Sequence, residues 1–347
     1  EAFPGDLEVA CILVEAIMNR TPWNMWDQKT GDVADGAGTV EAQAVLETML
    51  DQNAGAWSHP GLLHLYVHLM EMSPTPEKAL KAGDVLRELV PDAGHLIHMP
   101  THIDVQCGHY QSVLYWNWKA TQVDRKALDK MGIYTLYTGY RIHNYHFAVY
   151  GAMFLGQYEP AMKMAHELAE VTPEELLRVE SPPFATFFES YFALKVHVMI
   201  RFGRWREIIQ EPLPEDQLLW ANLTATLHYA KGVAHAALGE VQDAETEQAK
   251  FLTARDVMPE DRRLHNVLCL DQLAVAEAML EGEIEYRKGN YDFAYRRLRD
   301  AVGMEDNLPY DEPWGWMQPT RHALGALLLE QGHVNEAEAV YREDLGL

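Results

Sequence analysis

The feature that most constrains the fold of this chain is a short turn followed by an amphipathic helix, which recurs along the sequence. Seven of the eight turns begin with glycine, which accepts a positive φ angle without a steric penalty. Successive turns lie 34 to 50 residues apart, a period typical of stacked helical repeats. No segment alternates like a strand over more than a few residues, so the sequence predicts an all-α fold. The turn positions are Gly38, Pro74, Gly108, Gly156, Gly203, Gly239, Gly289 and Gly332.

These repeats resemble those of the tetratricopeptide-repeat (TPR) family. The clearest match is GEIEYRKGNYDFAYRRLRDA at 282–301, and segments 234–249 and 332–341 are similar. The resemblance covers nearly the whole chain, although several intervals exceed the family period of about 34 residues. It implies a right-handed superhelical solenoid of about eight helix pairs, in which the first helix of each pair lines the concave face.

The resemblance further implies one continuous domain over residues 1–347. Within it we expect an irregular N-terminal pair at 1–58, histidine-rich repeats at 59–171 and further repeats at 172–347.

Composition excludes several classes of partner. With 52 acidic and 28 basic residues the formal charge is −24, which argues against nucleic acid and anionic membranes. No apolar run reaches the roughly 18 residues of a membrane span. Three cysteines far apart in the chain argue against a disulfide framework. We expect a cytoplasmic protein. Because the sequence begins at Glu1 rather than at Met, whether a leader or another segment precedes it stays an open question.

The histidines are placed in phase with the turns. In the repeats before Pro74, Gly108 and Gly156, they recur thirteen, ten and six residues ahead of the turn. These offsets put them on one side of each helix, and the TPR resemblance implies that this side faces the groove. The histidines at these offsets are His64, His68, His95, His98, His102, His143 and His146.

This stripe predicts a transition-metal site. Histidines four apart on one helix are a common chelating pair, and neutral imidazole suits copper, iron and zinc. Because six imidazoles exceed the ligands of one zinc ion, either two metals bind or some histidines only support the ligands. The predicted ligands are His64, His68, His98, His102, His143 and His146, with Glu71 and Glu15 as carboxylate ligands or general bases.

Further residues are predicted to complete the site. Arg141 and Tyr145 are predicted to be catalytic residues, and Arg141 can orient a small anionic substrate through its guanidinium. Candidate supporting or pocket residues are Asn19, His95, Tyr150, Trp314, Arg321 and His322.

Pro100 lies between His98 and His102 and leaves two interpretations open. If the helix continues through Pro100 it is kinked, and the pair is kept. If a new helix begins at Pro100, the pair is separated.

The chain is also similar to a bacterial-type group of repeat proteins, through HPGLLHLYVHLMEMSP (59–74), GHLIHMPTHI (94–103) and HNYHF (143–147). We attach no reaction to that group, so this similarity singles out the same histidines and supplies no function.

The sequence therefore predicts a metal-binding repeat protein with a mono- or dinuclear site in the concave cavity. An enzyme that acts on a small-molecule substrate there is favoured. Oxygen or redox chemistry is favoured over hydrolysis. The principal alternative is a TPR scaffold that binds a peptide or protein partner without catalysis. A metal-free pocket for an anion or organic ligand, and purely structural histidines, also stay open.

Overall fold

A computed structural model describes residues 3–347, and this part of the chain is predominantly helical, which confirms the all-α prediction. Its strands are confined to one antiparallel hairpin, β1 (Arg263–Leu264) and β2 (Val267–Leu268). Short 3-10 segments lie at Ala54–Ser58, Pro76–Ala79 and Glu189–Ala193. The helices are α1 (Leu7–Met18), α2 (Thr39–Gln52), α3 (Pro60–Met70), α4 (Leu80–Leu89), α5 (Gly94–His98), α6 (Thr101–Gln106), α7 (Tyr110–Met131), α8 (Tyr137–Phe154), α9 (Tyr158–Glu170), α10 (Glu174–Leu177), α11 (Phe184–Phe188), α12 (Leu194–Arg201), α13 (Trp205–Gln210), α14 (Ala221–Ala237), α15 (Val241–Asp256), α16 (Cys269–Arg287), α17 (Tyr291–Glu305), α18 (Thr320–Glu330) and α19 (Val334–Asp344).

Six of the predicted turns share one backbone geometry. Their glycines all have positive φ angles, between 63° and 84°. In each, the residue after the glycine donates its N–H to the carbonyl five residues earlier, as Gln157 does to Ala152 at 2.9 Å. This is the hydrogen bond of a Schellman cap, which ends one helix and redirects the chain into the next. The turns are Gly108, Gly156, Gly203, Gly239, Gly289 and Gly332.

The chain divides into two compact units, one up to Met164 and one covering Ala165–Leu347. In the second unit, α14 packs against α15 and α16, and α16 packs against α17. A hydrophobic core cluster of this unit includes Phe251, Leu273 and Trp316.

In the first unit, helices α3, α5, α6 and α8 meet and position the predicted site. Helix α6 contacts α3, and α5 contacts α8. Helix α3 carries buried apolar residues on several of its faces, and most residues of α8 are buried. Helices that are apolar on all sides are expected in the interior of a fold. A small core of Ile97, Ala120 and Val123 holds α5 against α7.

The loop between α1 and α2 is anchored to the end of α3. The indole N–H of Trp26 donates to the Leu69 carbonyl at 2.7 Å, and Gln28 Nε2 donates to the Met72 carbonyl at 3.1 Å.

Every helix in the described part of the chain is too short or too polar to cross a lipid bilayer.

Candidate metal centre

Six histidines of the first unit form two adjacent triads. Within each triad, one candidate ligand atom from each residue lies within 4.8 Å of the other two. Helices α3 and α5 supply the first triad, and α5, α6 and α8 supply the second. The first triad is His64, His68 and His95, and the second triad is His98, His102 and His143.

The two triads occupy the same repeat positions, shifted by one repeat. Each takes the histidines ten and six residues before one turn, together with the histidine thirteen residues before the next turn. The turns are Pro74 and Gly108 for the first triad, and Gly108 and Gly156 for the second. Each site is therefore built between neighbouring repeats.

Asn117 on α7 fixes the protonation of His98 in the second triad. Asn117 Nδ2 donates to Thr101 Oγ1 at 2.9 Å and to the Val113 carbonyl at 2.8 Å, so Oδ1 is the acceptor of this amide. That oxygen lies 2.6 Å from His98 Nδ1. His98 therefore carries its proton on Nδ1, and its Nε2 presents a lone pair.

His102 is fixed in the same tautomer by a different acceptor. Its Nδ1 contacts a carboxylate oxygen of Glu71, and an ionised carboxylate only accepts hydrogen bonds. In the neutral ring its Nε2 also presents a lone pair, and it lies 2.8 Å from Nε2 of His98. Two facing lone pairs at this distance repel each other unless a proton or a cation lies between them. Two nitrogens that each lie about 2.0–2.1 Å from one ion, with an N–ion–N angle of about 90°, are roughly 2.9 Å apart.

The first triad has a similar arrangement. Nδ1 of His68 donates to Glu71 at 2.6 Å, which leaves its Nε2 as the ligand atom. Nε2 of His64 and Nε2 of His95 are 3.3 Å apart. Two nitrogens bound to one ion at the tetrahedral angle would be separated by roughly 3.3–3.4 Å.

Glu71 is almost completely buried between the triads. Burial alone would raise the pKa of its carboxyl group, but the adjacent His102 and His68 hold that pKa well below its usual range. Glu71 is therefore a buried anion that orients one histidine of each triad, an arrangement that raises the basicity of metal-binding imidazoles.

Burial favours the neutral, metal-binding form of three of these histidines. Burial, followed by neighbouring histidines, lowers the pKa of His64 and His98 well below its usual value. The same causes lower the pKa of His95 to about 3.

The helix break at Pro100 does not separate His98 from His102. Helix α5 ends at His98 and α6 begins at Thr101, but Met99 and Pro100 keep right-handed helical φ/ψ angles. The hydroxyl of Thr101 donates to the His98 carbonyl at 2.6 Å. A new helix therefore begins after Pro100, as in the second interpretation, but the His98–His102 pair is kept as in the first.

Other residues of α8 lie near the triads but outside them. His146 is buried, and its ring centroid is 6.2 Å from that of His143. Tyr145 is completely buried, and Tyr150 stacks on Phe154 with centroids 4.5 Å apart. Arg141 is buried, and burial lowers the pKa of its guanidinium, although the negative charge of Asp124 acts in the opposite direction.

Of the remaining candidates, Glu15 and Asn19 are exposed on α1 and its C-terminal cap. In the second unit, the Arg321 guanidinium donates to both Asp306 oxygens at 2.6 and 2.8 Å. His322 Nε2 pairs with Asp344 at 3.1 Å. Trp314 is 42% exposed.

The structure also shows what the sequence reasoning missed. His95, expected to play a supporting part, groups with His64 and His68. Its offset of thirteen residues, shared with His143, was the available signal. Asn117 follows no pattern with the histidines, and no sequence signal connects it to them.

The chain matches no protein-family model, and a search of curated proteins finds no significant match.

Proposed function

We propose that this protein binds two transition-metal ions, one in each histidine triad, and that it is a metalloenzyme. The strongest support is the His98–His102 pair, whose Nδ1 atoms are both engaged by acceptors while their Nε2 atoms face each other at 2.8 Å. With neither a proton nor a metal ion between the rings this arrangement is unfavourable, and with a metal ion it is an ordinary pair of imidazole ligands.

The proposal includes a TPR-like solenoid of about eight helix pairs. It is supported by the six turns of identical geometry and by packing between the helices on either side of a turn, as in α14 with α15 and α16 with α17. The shift of the triads by one repeat fits a regular stack.

Copper, iron or zinc suits such a site, since all three bind neutral imidazole. Three protein ligands leave coordination positions for a substrate. Two adjacent three-histidine sites favour oxygen or redox chemistry on a small molecule over hydrolysis by a single zinc-bound water. Arg321 is paired with carboxylates and Arg141 lies beside Asp124, so neither supports an anionic substrate in particular.

The test is the metal content of untagged protein after reconstitution with copper, iron or zinc in turn. We expect two equivalents of one metal in the wild type and about one in His98→Ala/His102→Ala, with unchanged helical circular dichroism. His146→Ala is the matched control, because it removes a buried α8 histidine outside both triads and should keep two equivalents. A wild type without stoichiometric metal would overturn the proposal and favour the peptide-binding scaffold.

A further inference from the structure

The two triads differ in their access to solvent. In the second triad His98 and His102 are 0% and 2% exposed, and His143 is 8% exposed. All three residues of the first triad are partly exposed, and the His68 side chain retains 25% of its accessible surface.

Aromatic neighbours accentuate this difference. Phe147 packs against every ring of the second triad, with centroid distances of 4.9 Å to His98, 4.6 Å to His102 and 5.0 Å to His143. An apolar ring in this position keeps water from that side of the site. Beside the first triad, the Tyr140 ring lies 4.5 Å from that of His95 and is 48% exposed.

We propose that the first triad is the substrate-binding metal site, where an oxygen-donor ligand from solvent coordinates the ion beside Tyr140, and that the second triad holds its ion enclosed. This inference rests on the proposed function. A metal ion can exchange ligands only where the incoming molecule can reach it, and a catalytic metal site keeps a position open for that purpose. The first triad meets this condition and the second does not.

The enclosed ion should also be released more slowly. A chelator can reach an ion in the first triad directly, whereas release from the second triad requires local opening of the packing around Phe147. The two rates of release therefore report the two environments without any assay of activity.

The test uses the full chain loaded with two equivalents of Co²⁺, whose visible spectrum reports coordination. With EDTA in excess we expect release in two phases that differ by at least about tenfold in rate. His64→Gln/His68→Gln should lack the fast phase, and His98→Gln/His102→Gln should lack the slow one. The wild type must show both phases whether or not the variants fold. The inference can therefore be tested on the wild type even if a variant is unfolded.

Azide is the probe for the open position. Titration should perturb one of the two cobalt ions, and the response should be lost in His64→Gln/His68→Gln and kept in His98→Gln/His102→Gln. Tyr140→Phe should weaken azide binding severalfold, since the phenol can donate to a bound anion. Tyr134→Phe is the matched control, because Tyr134 is 61% exposed in the segment before α8.

Release in a single phase, or an azide response from the second triad, would overturn this inference. If the protein still bound two equivalents of cobalt, the proposed function would not be contradicted. Failure to bind two equivalents of any metal would overturn both. Equal azide affinity in Tyr140→Phe and the wild type would show that the Tyr140 hydroxyl does not contact the bound anion.

Discussion

Glu71 accepts a hydrogen bond from one histidine of each triad, from His68 on one carboxylate oxygen and from His102 on the other. The carboxylate is itself buried, so its charge acts on both rings with little screening by water. Any change at Glu71 is therefore felt at both proposed metal sites.

Glu71→Gln should weaken the binding of at least one metal ion by about 10–100-fold. The amide has one accepting oxygen, and its N–H₂ group would oppose the N–H of His68 or His102, so one ring must turn or change tautomer. Chelator competition measures both affinities. Glu77→Gln, on the exposed surface, is the control, and wild-type affinities in Glu71→Gln would contradict this prediction.

Asn117→Ala should affect the second triad alone. It removes the acceptor of the His98 Nδ1 proton and should lower the affinity of that site by about 10–100-fold, while the first triad, which Asn117 does not orient, is unchanged. The same competition assay distinguishes this outcome from the Glu71 variant. Equal weakening of both sites would show that Asn117 acts through the fold rather than through His98.

Gly94→Ala should destabilise the protein by about 1–3 kcal/mol and weaken metal binding. A Cβ atom at Gly94 would lie 2.0 Å from Asp124 Oδ1. Asp124 cannot easily move, because it accepts hydrogen bonds from Tyr137 at 2.7 Å and Asn144 at 2.6 Å. Helix α5 must shift instead, and with it His95 and His98.

The control for this variant is Gly303→Ala, on an exposed stretch of α17 where a Cβ atom meets nothing within 4 Å. It should stabilise the protein by about 0.5–1 kcal/mol. Urea unfolding of both variants measures the difference, and a Gly94→Ala protein as stable as Gly303→Ala would refute the steric argument.

His197 should make folding stability depend on pH. Burial lowers the pKa of this histidine from 6.5 to about 4. As pH falls through this interval, the unfolded chain takes up a proton that the folded chain does not. The contribution of His197 to stability is therefore full above pH 6.5 and is lost towards pH 4, with a slope of up to about 1.4 kcal/mol per pH unit.

His197→Leu should reduce this slope by up to about 1.4 kcal/mol per pH unit, because leucine does not titrate, while His64, His95 and His98, whose pKa values are also lowered, keep the remainder. Urea unfolding of metal-free protein from pH 6.5 down to about pH 4 measures it. His166→Leu, exposed on α9, should keep the wild-type slope, and a wild-type slope in His197→Leu would contradict the assignment.

Much of the fold could be predicted from local signals. Glycine followed by a helix-forming segment specifies a turn with positive φ at six of the seven predicted glycine turns, such as Gly156 and Gly289, whereas Gly38 has a φ of −87°. The phase of the histidines relative to these turns likewise put His64, His68, His98, His102 and His143 on one side of their helices.

The remainder of the site depends on contacts between helices that no local pattern encodes. Asn117 orients His98 from α7, and the charge of Asp124 acts on the buried guanidinium of Arg141, which was expected to face a substrate. Which histidines form one site was also a question of packing, since His95 and His98 are three residues apart and belong to different triads.

The interleaving of repeats has a consequence for the folding of the first unit. His64 and His95 are 31 residues apart in the chain, and His98 and His143 are 45 apart. An ion held by either triad would close a loop of this length and would have to lose ligands before the loop could open. Each bound ion would therefore act as a reversible cross-link between successive repeats, so that their contacts are maintained by coordination as well as by hydrophobic packing.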